Sequence, residues 1–206
     1  NLYVKKNLIM SVSPAIKAKI RKQMGQLLDL ACGKSGDLSK WKAAYLRRVI
    51  CIDIDKKCID YAISYYKSFP RPKPSAYYVW GDTSRLIFPN QDAGLNDMQK
   101  VRLKEYIPTK NNFDVVSCQF CLHYYFESET KLNNLIQNIK DNLKIGGYFI
   151  GTCFDGKKVF DSLKGKKEVS DEKNGNTLWK IKKEYKIRTF TDKKPYYNTK
   201  VSVFVK

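Results

Sequence analysis

The chain alternates between short apolar runs and amphipathic segments over most of its length. The apolar runs predict strands at 27–31, 49–53, 76–80, 113–120 and 147–153. Hydrophobic residues at three- and four-residue spacing predict helices at 37–47, 55–67 and 129–142. Strands that alternate with helices are typical of an α/β fold, in which a mostly parallel sheet carries helices on both faces.

The segments outside this alternation are predicted as follows. An N-terminal helix is expected over 1–25, and a polar surface insertion over 85–112 with one helix near 97–105. A short helix through Val159 and Leu163 is followed by a polar loop over 165–176, which we expect to be mobile.

Two strands of alternating pattern follow, at 179–187 and 201–205. A seven-stranded sheet with an antiparallel final pair results if one more strand lies past Lys206. Because the chain starts within an amphipathic pattern, we expect a single domain over 1–206 that is a fragment of a longer polypeptide.

Residues 27–37, with the sequence LLDLACGKSGD, combine a strand, a glycine-containing turn and a helix start. Glycine lets the backbone pass close to a ligand, and a helix start offers unpaired N–H groups. We expect Asp37 to cap that helix. A nicotinamide-binding loop would need G-x-G-x-x-G, whereas Asp29, Ala31 and Gly33 resemble the D-x-[GA]-x-G loop of S-adenosylmethionine-dependent methyltransferases.

Acidic residues lie at or near the ends of three predicted strands, at Asp29, Asp53 and Asp82. Ligands of open parallel sheets bind beyond the carboxyl ends of the strands. Asp53 is therefore placed to accept hydrogen bonds from the ribose hydroxyls of a nucleoside cofactor. The alternative is that Asp53 only caps the following helix.

Charge and aromatic content favour an RNA partner. The chain has 39 Lys and Arg against 20 Asp and Glu, a net charge of +19, and its 14 Tyr and 10 Phe offer surfaces on which bases can stack. A lysine-rich solvated surface without a partner is the alternative. The absence of an apolar run of membrane-spanning length predicts a soluble protein without a membrane partner.

The six cysteines mostly lie in apolar strands or on helix faces, as reduced thiols of an intracellular protein do. Cys118 and Cys121 form a C-x-x-C pair, but the chain has no second pair and one histidine, so we expect no metal site. The aromatic loop 121–128 follows a predicted strand, where a substrate ring would lie against the cofactor. Alternatively, Tyr125 and Phe126 close the core.

Several motifs together resemble the messenger RNA cap guanine-N7 methyltransferases. Residues 1–9 are similar to the family's N-N-W-V-K-x-x-L-I, and 31–41 to G-C-G-K-G-G-D-L-x-K-W. Residues 117–128 are similar to S-C-Q-F-x-x-H-Y-x-F-E-S, and 146–152 match G-G-x-F-I-G-T. Within the family, residues 154–158 look most like the methyltransferase domains of capping enzymes from large DNA viruses of the poxvirus and African swine fever virus type.

The resemblance implies a class I, Rossmann-like methyltransferase domain and a role for each matching residue. The residues implied to bind S-adenosylmethionine are Lys5, Ala31, Gly33, Asp37, Asp53, Asp82, Thr83 and Gln119. The residues implied to bind the cap guanine and its triphosphate are Asn1, Lys34, His123 and Tyr124. Ala31 and Ser35 replace family glycines, and Tyr65 replaces a frequent arginine that contacts the cap phosphates. No match for the family's guanine-binding glutamate occurs before Lys206.

The implied activity is methyl transfer from S-adenosylmethionine to N7 of the cap guanine, leaving S-adenosylhomocysteine. Guanine N7 has a lone pair and no proton at neutral pH, so we expect neither a catalytic base nor a metal. Implied partners are the 5′ end of capped RNA, RNA triphosphatase and guanylyltransferase domains of the same polypeptide, and a stimulatory subunit. The protein would act in the host cytoplasm or virion if viral, and in the nucleus if cellular.

Two other functions stay open at this point. The glycine loop alone would suit a methyltransferase acting on another RNA or on a small molecule. A non-catalytic module that binds RNA or a partner is the third hypothesis, in which Ala31, Ser35 and Tyr65 mark lost activity.

Overall fold

A computed structural model describes residues 2–15, 25–87, 95–191 and 196–205. The strands are β1 Gly25–Asp29, β2 Leu46–Asp53, β3 Ser75–Trp80, β4 Phe113–Gln119, β5 Leu143–Thr152, β6 Glu168–Lys173, β7 Asn176–Lys183 and β8 Val201–Val205. The α-helices are α1 Leu2–Ser11, α2 Leu38–Ala43, α3 Lys56–Ser68, α4 Asp97–Tyr106, α5 Glu129–Asn142 and α6 Gly156–Ser162. A 3₁₀ helix spans Leu122–Glu127.

The central sheet has five parallel strands in the order β3-β2-β1-β4-β5. The strand order reverses between β1 and β4, and a crevice for ligands forms at such a point, beyond the carboxyl ends of the strands. The predicted α/β architecture is therefore confirmed. Of the predicted N-terminal helix 1–25, α1 covers Leu2–Ser11, and residues 13–15 are again helical after a turn at Val12. Residues 1 and 16–24 lie outside the described residues.

Helices cover both faces of the central sheet, and this explains why its strands are apolar on both sides. On one face, Leu28, Ile50 and Val116 pack in a core cluster with Leu103 of α4 and Leu135 of α5. On the other face, their strand neighbours at 27, 49 and 115 pack in a second cluster with α1, α2 and α3. The central strands thus hold the loops at their carboxyl ends on a rigid base.

The prediction of a seven-stranded sheet is wrong for the described residues. The C-terminal strands form a separate antiparallel sheet in the order β6-β7-β8. The reason is visible in β6, whose six residues are polar except for Val169 and are nearly all exposed. Such a strand cannot pack between two helical layers. A further strand past Lys206 lies outside the described residues.

The polar stretch 165–176 is also ordered differently from the prediction. It contains β6, which pairs with β7 across a two-residue turn at Asn174 and Gly175. Both turn residues have positive φ, 53° and 72°. Asn-Gly favours this turn because both residues tolerate the left-handed conformation. The hairpin could therefore have been predicted. The predicted strand 179–187 extends too far, because β7 ends at Lys183 and Tyr185 and Ile187 lie beyond it.

Two predicted boundaries differ because of backbone geometry. α2 ends at Ala43, and Tyr45 takes a positive φ of 63° that ends the helix and starts β2. β5 begins at Leu143, and the predicted turn at Gly146 and Gly147 is a bulge within this strand. A Cβ at Gly147 would lie 2.9 Å from the carbonyl oxygen of Asp114, so only glycine fits there.

The insertion between β3 and β4 contains the predicted helix as α4, which begins at an Asn96 side chain that accepts a hydrogen bond from the Gln99 N–H at 2.9 Å. Residues 88–94 of the insertion lie outside the described residues. In the described parts of the chain, no helix is both long and apolar enough to span a membrane.

Candidate functional site

The carboxyl ends of the five parallel strands form one edge, which we call the carboxyl edge. Asp29 pairs in register with Cys51 of β2 and Ser117 of β4, and Asp53 pairs with Trp80 of β3. The structure thus brings the strand-end acids to one edge, as the sequence predicts. The loop 30–36 follows β1 at the centre of this edge.

The loop 30–36 is fixed by hydrogen bonds to both neighbouring strands. The Leu30 N–H donates to the Ser117 carbonyl of β4 at 2.9 Å, and the Cys32 N–H donates to the Ile52 carbonyl of β2 at 3.2 Å. Gly33 has a φ of 53°, and a Cβ built on Gly33 or Gly36 would meet no atom within 4 Å. The space above these two residues is therefore open to a ligand.

Ser35, where the resembling family has glycine, also adopts a positive φ of 61°. Its side chain is fully buried, and its hydroxyl shares a 2.8 Å hydrogen bond with the Tyr78 hydroxyl. This bond holds a non-glycine residue in a conformation that usually favours glycine. The loop can therefore keep its shape with serine at this position.

Asp37 does not cap α2, so that prediction is wrong: its side chain makes no capping hydrogen bond. Instead its two carboxylate oxygens accept from two ammonium groups, Lys5 Nζ at 2.9 Å and Lys40 Nζ at 2.6 Å. Asp37 and Lys40 are buried, so the pair is shielded from water. Through Lys5, α1 is attached to the carboxyl edge.

Asp53 is partly exposed and accepts two backbone hydrogen bonds. The Gly33 N–H donates to Oδ2 at 2.7 Å, and the Asp55 N–H donates to Oδ1 at 2.9 Å. Asp55, not Asp53, caps α3, because its side chain accepts from the Lys57 and Cys58 N–H groups. The alternative interpretation of Asp53 as a helix cap is therefore wrong. Each of its oxygens keeps a lone pair for a further donor.

Asp82 and Thr83 follow β3 but point in different directions. Asp82 is partly exposed, and its Oδ1 accepts from the Ser84 N–H at 2.9 Å. The Thr83 hydroxyl is buried, donates to the Leu30 carbonyl at 2.7 Å and is hydrogen bonded to the Tyr125 hydroxyl. The side chain of Thr83 thus ties loop 30–36 to the 3₁₀ helix. Of the two residues, Asp82 has the carboxylate that faces solvent.

Gln119 ends β4 and is buried. Its Nε2 donates to the Ile150 carbonyl and its Oε1 accepts from the Thr152 hydroxyl, both at 3.3 Å. Gln119 therefore joins the ends of β4 and β5.

Tyr125 is 5% exposed and belongs to the core, as the alternative interpretation expects, whereas Phe126 is 40% exposed.

Asp29 differs from the other acids at this edge. It is buried, and its Oδ1 has no hydrogen-bond partner among the described residues. Burial, with the nearby charge of Asp37, raises the pKa of Asp29 to about 7. The carboxyl beneath the glycine loop is thus held close to the boundary between its neutral and charged forms at neutral pH.

A cavity of about 620 Å³ lies beyond the ends of β4 and β5, and we call it the aromatic cavity. Its first wall comes from the segments that follow those strands, with His123, Tyr124 and Phe154. The His123 ring centroid lies 4.3 Å from that of Tyr124 and 5.0 Å from that of Phe154. The structure therefore places His123 and Tyr124 together in one ring-lined recess.

His123 is half-buried, and its Nδ1 has no partner among the described residues. Burial lowers the pKa of His123. A neutral imidazole offers one N–H donor and one ring-nitrogen acceptor. The side chain of Tyr124 is 69% exposed and so presents its ring to an incoming ligand.

The opposite wall of the cavity was missed by the sequence analysis. It contains Phe160, Tyr185, Phe190 and Tyr196. The Phe190 and Tyr196 rings are stacked at 4.7 Å, and the Phe160 and Tyr185 rings at 5.8 Å. These residues come from a helix and an irregular segment without a common period. Their aromatic side chains were the available signal, but nothing in their spacing joins them.

Two predicted site residues remain. Lys34 is exposed, and its Nζ lies 5.3 Å from the centroid of the Tyr61 ring. Asn1 lies outside the described residues.

The cysteines are free; Cys118 Sγ and Cys121 Sγ are 3.1 Å apart in the core. Within the described ranges, no group of three His, Cys, Asp or Glu residues could hold a metal ion.

Comparison with protein families gives one match that spans nearly the whole chain. A family model described as "mRNA (guanine-N(7))-methyltransferase domain" matches residues 1–205. This range includes the carboxyl edge and both walls of the aromatic cavity.

Curated relatives of the chain carry related names. The chain is 34% identical to an mRNA cap guanine-N(7) methyltransferase of Saccharomyces cerevisiae over 75% of this chain and 33% of that protein. It is 37% identical to one of Caenorhabditis elegans over 68% of this chain and 34% of that protein. It is 32% identical to a probable mRNA-capping enzyme of Acanthamoeba polyphaga mimivirus over 78% of this chain and 15% of that protein. The chain thus spans about a third or less of these relatives.

Solved structures agree on the fold. An S-adenosylmethionine-dependent methyltransferase from Clostridium acetobutylicum has a TM-score of 0.59 and 18% identity, over 89% of this chain and 63% of that one. The PH0226 protein of Pyrococcus horikoshii has a TM-score of 0.50 and 22% identity, over 87% and 70%. The fold is that of the class I S-adenosylmethionine-dependent methyltransferases, as expected from the sequence.

Proposed function

Because this chain belongs to the mRNA (guanine-N(7))-methyltransferase family, we propose that it transfers a methyl group from S-adenosylmethionine to N7 of the guanine at the 5′ end of capped RNA. The observation that carries this proposal is the position of the aromatic cavity. It adjoins the carboxyl edge, because its first wall follows β4 and β5, and β4 is the neighbour of β1. A planar base in this cavity would lie beside a cofactor on the loop 30–36.

The carboxyl edge fits S-adenosylmethionine in space and in donor chemistry. The open space above Gly33 and Gly36 admits a ligand, and the Asp53 carboxylate has lone pairs for two ribose hydroxyls. When bound, S-adenosylmethionine supplies an electrophilic methyl group on its sulfonium. Ala31, Asp37 and Lys5 would hold the methionine end.

The other cofactor contacts come from β3 and β4. Asp82, whose carboxylate is partly exposed, would face the adenine together with Thr83, and Gln119 would support the segment next to the sulfonium. Because the Thr83 hydroxyl is engaged with the Leu30 carbonyl, its contribution to adenine binding would come through its backbone.

The aromatic cavity would hold the guanine. His123 is kept neutral by burial, so it presents a donor and an acceptor to the polar edge of the base, and the exposed ring of Tyr124 would stack on its face. Asn1 would complete this side of the pocket, and Lys34 would face the cap triphosphate. Both polar edge and flat face of guanine are then matched.

The reaction needs orientation more than proton transfer. Guanine N7 carries an in-plane lone pair and no proton at neutral pH, so the residues around it need not act as a base. Holding the reacting atoms in line at about 3–3.5 Å can supply about 7–11 kcal/mol of the barrier. Ring stacking in the aromatic cavity and hydrogen bonds at the carboxyl edge would provide this alignment.

The wider context follows from the relatives. Since the chain spans 15% of the mimiviral capping enzyme it matches, we propose that it works within a longer polypeptide with RNA triphosphatase and guanylyltransferase domains. A stimulatory subunit and a viral origin are parts of the same proposal. The proposed place of action is the cytoplasm for a viral enzyme and the nucleus for a cellular one.

Transfer of labelled methyl groups to RNA tests the function. The two acceptors compared are an RNA with a GpppA cap and the same RNA with a 5′ triphosphate. A separate titration measures the binding of S-adenosylmethionine to the protein. We expect label on the capped RNA alone, released as 7-methylguanosine after digestion with nuclease, pyrophosphatase and phosphatase. Label on both RNAs would favour another acceptor, and cofactor binding without transfer would favour a non-catalytic module.

A further inference from the structure

Three aromatic rings lie in a row along one face of α3 and at its C-terminal end. We call them the α3 ladder: Tyr61, Tyr65 and Phe69. The rings of Tyr61 and Tyr65 are nearly parallel, at 16° with centroids 6.4 Å apart, and Phe69 meets Tyr65 edge-on at 5.8 Å. Their four-residue spacing places them on one helix face. Tyr65 and Phe69 are partly buried against the core, whereas Tyr61 is 53% exposed.

The α3 ladder begins beside the proposed active site. α3 starts at the end of β2, next to Asp53, and Lys34 of the loop 30–36 lies with its Nζ 5.3 Å from the Tyr61 centroid. Tyr61 is therefore the ring nearest to the carboxyl edge, and the ladder leads away from it. A nucleotide chain that leaves the aromatic cavity past Lys34 would reach Tyr61 first.

The charges around α3 suit a nucleic acid. Lys57, Lys67 and Arg71 are exposed on or just after the helix. Lys56 and Asp60 form an ion pair at 2.7 Å and so largely neutralise each other. An exposed aromatic ring on a surface that carries several cations is an arrangement with which proteins bind single-stranded nucleic acids. A protein partner that buried Tyr61 would have to cover the basic residues next to it as well.

We propose that the Tyr61 ring stacks on the base of the first transcribed nucleotide, with Lys34 beside the triphosphate that links it to the cap. Tyr65 stacks against the Tyr61 ring and is itself held by Phe69, so that the plane of the Tyr61 ring is fixed. This inference rests on the proposed function, because capped RNA is the ligand. It goes further by assigning a binding site for the RNA body outside the cap pocket.

The test uses the whole chain and a short capped RNA that carries 2-aminopurine as its first transcribed base. Stacking of this base on tyrosine lowers its fluorescence. The variants are Tyr61→Leu, which removes the ring, Tyr61→Phe, which keeps it, and Tyr148→Leu as a matched control. Tyr148 is 40% exposed on β5, at the edge of the sheet opposite α3.

We expect Tyr61→Leu to weaken RNA binding about tenfold and to abolish the loss of fluorescence, because base stacking on an aromatic side chain is worth a factor of that order. Tyr61→Phe and Tyr148→Leu should bind and quench like the wild type. Methylation of capped RNA should fall with Tyr61→Leu, whereas methylation of GTP, which lacks the first transcribed base, should not.

The proposal would be overturned if the fluorescence of 2-aminopurine fell as much with Tyr61→Leu as with the wild type. It would also be overturned if Tyr148→Leu lost as much RNA affinity as Tyr61→Leu. Failure of the proposed function has a different signature. In that case the wild type transfers no methyl group to capped RNA, while the fluorescence measurement, which needs no turnover, still reports whether the base stacks on Tyr61.

Discussion

The carboxyl edge and the aromatic cavity differ in how their polar groups are satisfied. At the edge, Asp37 accepts from two ammonium groups and Asp53 from two backbone N–H groups within the chain. In the cavity, His123 Nδ1 and the Tyr185 hydroxyl are buried without a partner among the described residues. A buried polar group without a partner costs free energy, so a ligand that bonds to His123 or Tyr185 would remove that cost.

The carboxyl edge and the aromatic cavity are also formed by different parts of the chain. The edge is part of the sheet, and its loops take their shape from backbone hydrogen bonds to neighbouring strands. The cavity is formed by side chains from segments far apart in the chain, such as His123 and Tyr185. We therefore expect the edge to be organised before its ligand binds, and the cavity to depend on its rings.

Asp29 and Ser117 are exceptions at the edge, because each has a buried side-chain oxygen without a partner among the described residues, and Asp29 gives the largest expected effect. Its pKa is about 7 in the folded chain against an ordinary value of 3.8, so the folded state holds a proton that the unfolded state has lost between these limits. The contribution of Asp29 to the free energy of unfolding is therefore fully present below about pH 4 and is lost as the pH rises through 7. Between about pH 5 and pH 8 the loss is about 3 kcal/mol.

Asp29→Asn removes this loss because the amide does not titrate. In urea unfolding, the variant should gain about 3 kcal/mol on the wild type between about pH 5 and pH 8. Asp141→Asn is the matched control. Although burial acts to raise it, the pKa of Asp141 is lowered by hydrogen bonds from Gln137 and Lys110, so that site should give no trend in this range. Parallel curves for Asp29→Asn and the wild type would contradict the assignment.

Asp53→Ala removes a carboxylate of the carboxyl edge, and its effect on S-adenosylmethionine affinity is the next largest that we expect. It removes the acceptor of the proposed ribose hydrogen bonds, and bonds to a charged group are worth about 1.5–3 kcal/mol. Calorimetry should show S-adenosylmethionine binding weakened by about 100-fold. Asp60→Ala, which removes an exposed carboxylate of the same helix region, should leave the affinity unchanged. An unaltered affinity in Asp53→Ala would remove Asp53 from the cofactor site.

Tyr124→Ala tests the cavity and has the smallest expected effect of the three. Loss of the ring should raise KM for a cap analogue about tenfold, in line with the worth of one base stack. S-adenosylmethionine affinity should stay the same, because Tyr124 lies in the cavity wall and not at the edge. Tyr124→Phe should restore KM. If Tyr124→Ala has the wild-type KM, the guanine does not bind against this ring.

The periodic parts of the sequence predicted the fold well. Strands such as β1 and β4 carry apolar residues on both sides, and the helices between them have one apolar face, so a parallel sheet follows directly. The glycine loop and the acids at the strand ends were located from their distance to those runs. Short-range hydrogen-bond chemistry was predicted less well, since Asp37 has the sequence position of a cap but is held by Lys5 and Lys40.

The parallel sheet, the carboxyl edge and the family could be predicted from the amino-acid sequence, because they depend on local periodicity and on contiguous motifs. The three-dimensional fold was needed to find the separation of the sheet β6-β7-β8 from the central sheet, the position of Lys34 beside the α3 ladder, and the opposite wall of the aromatic cavity. These features depend on contacts between distant segments, and no local period encodes such contacts. Tyr185 and Phe190 come to face His123 because the chain folds back over the ends of β4 and β5.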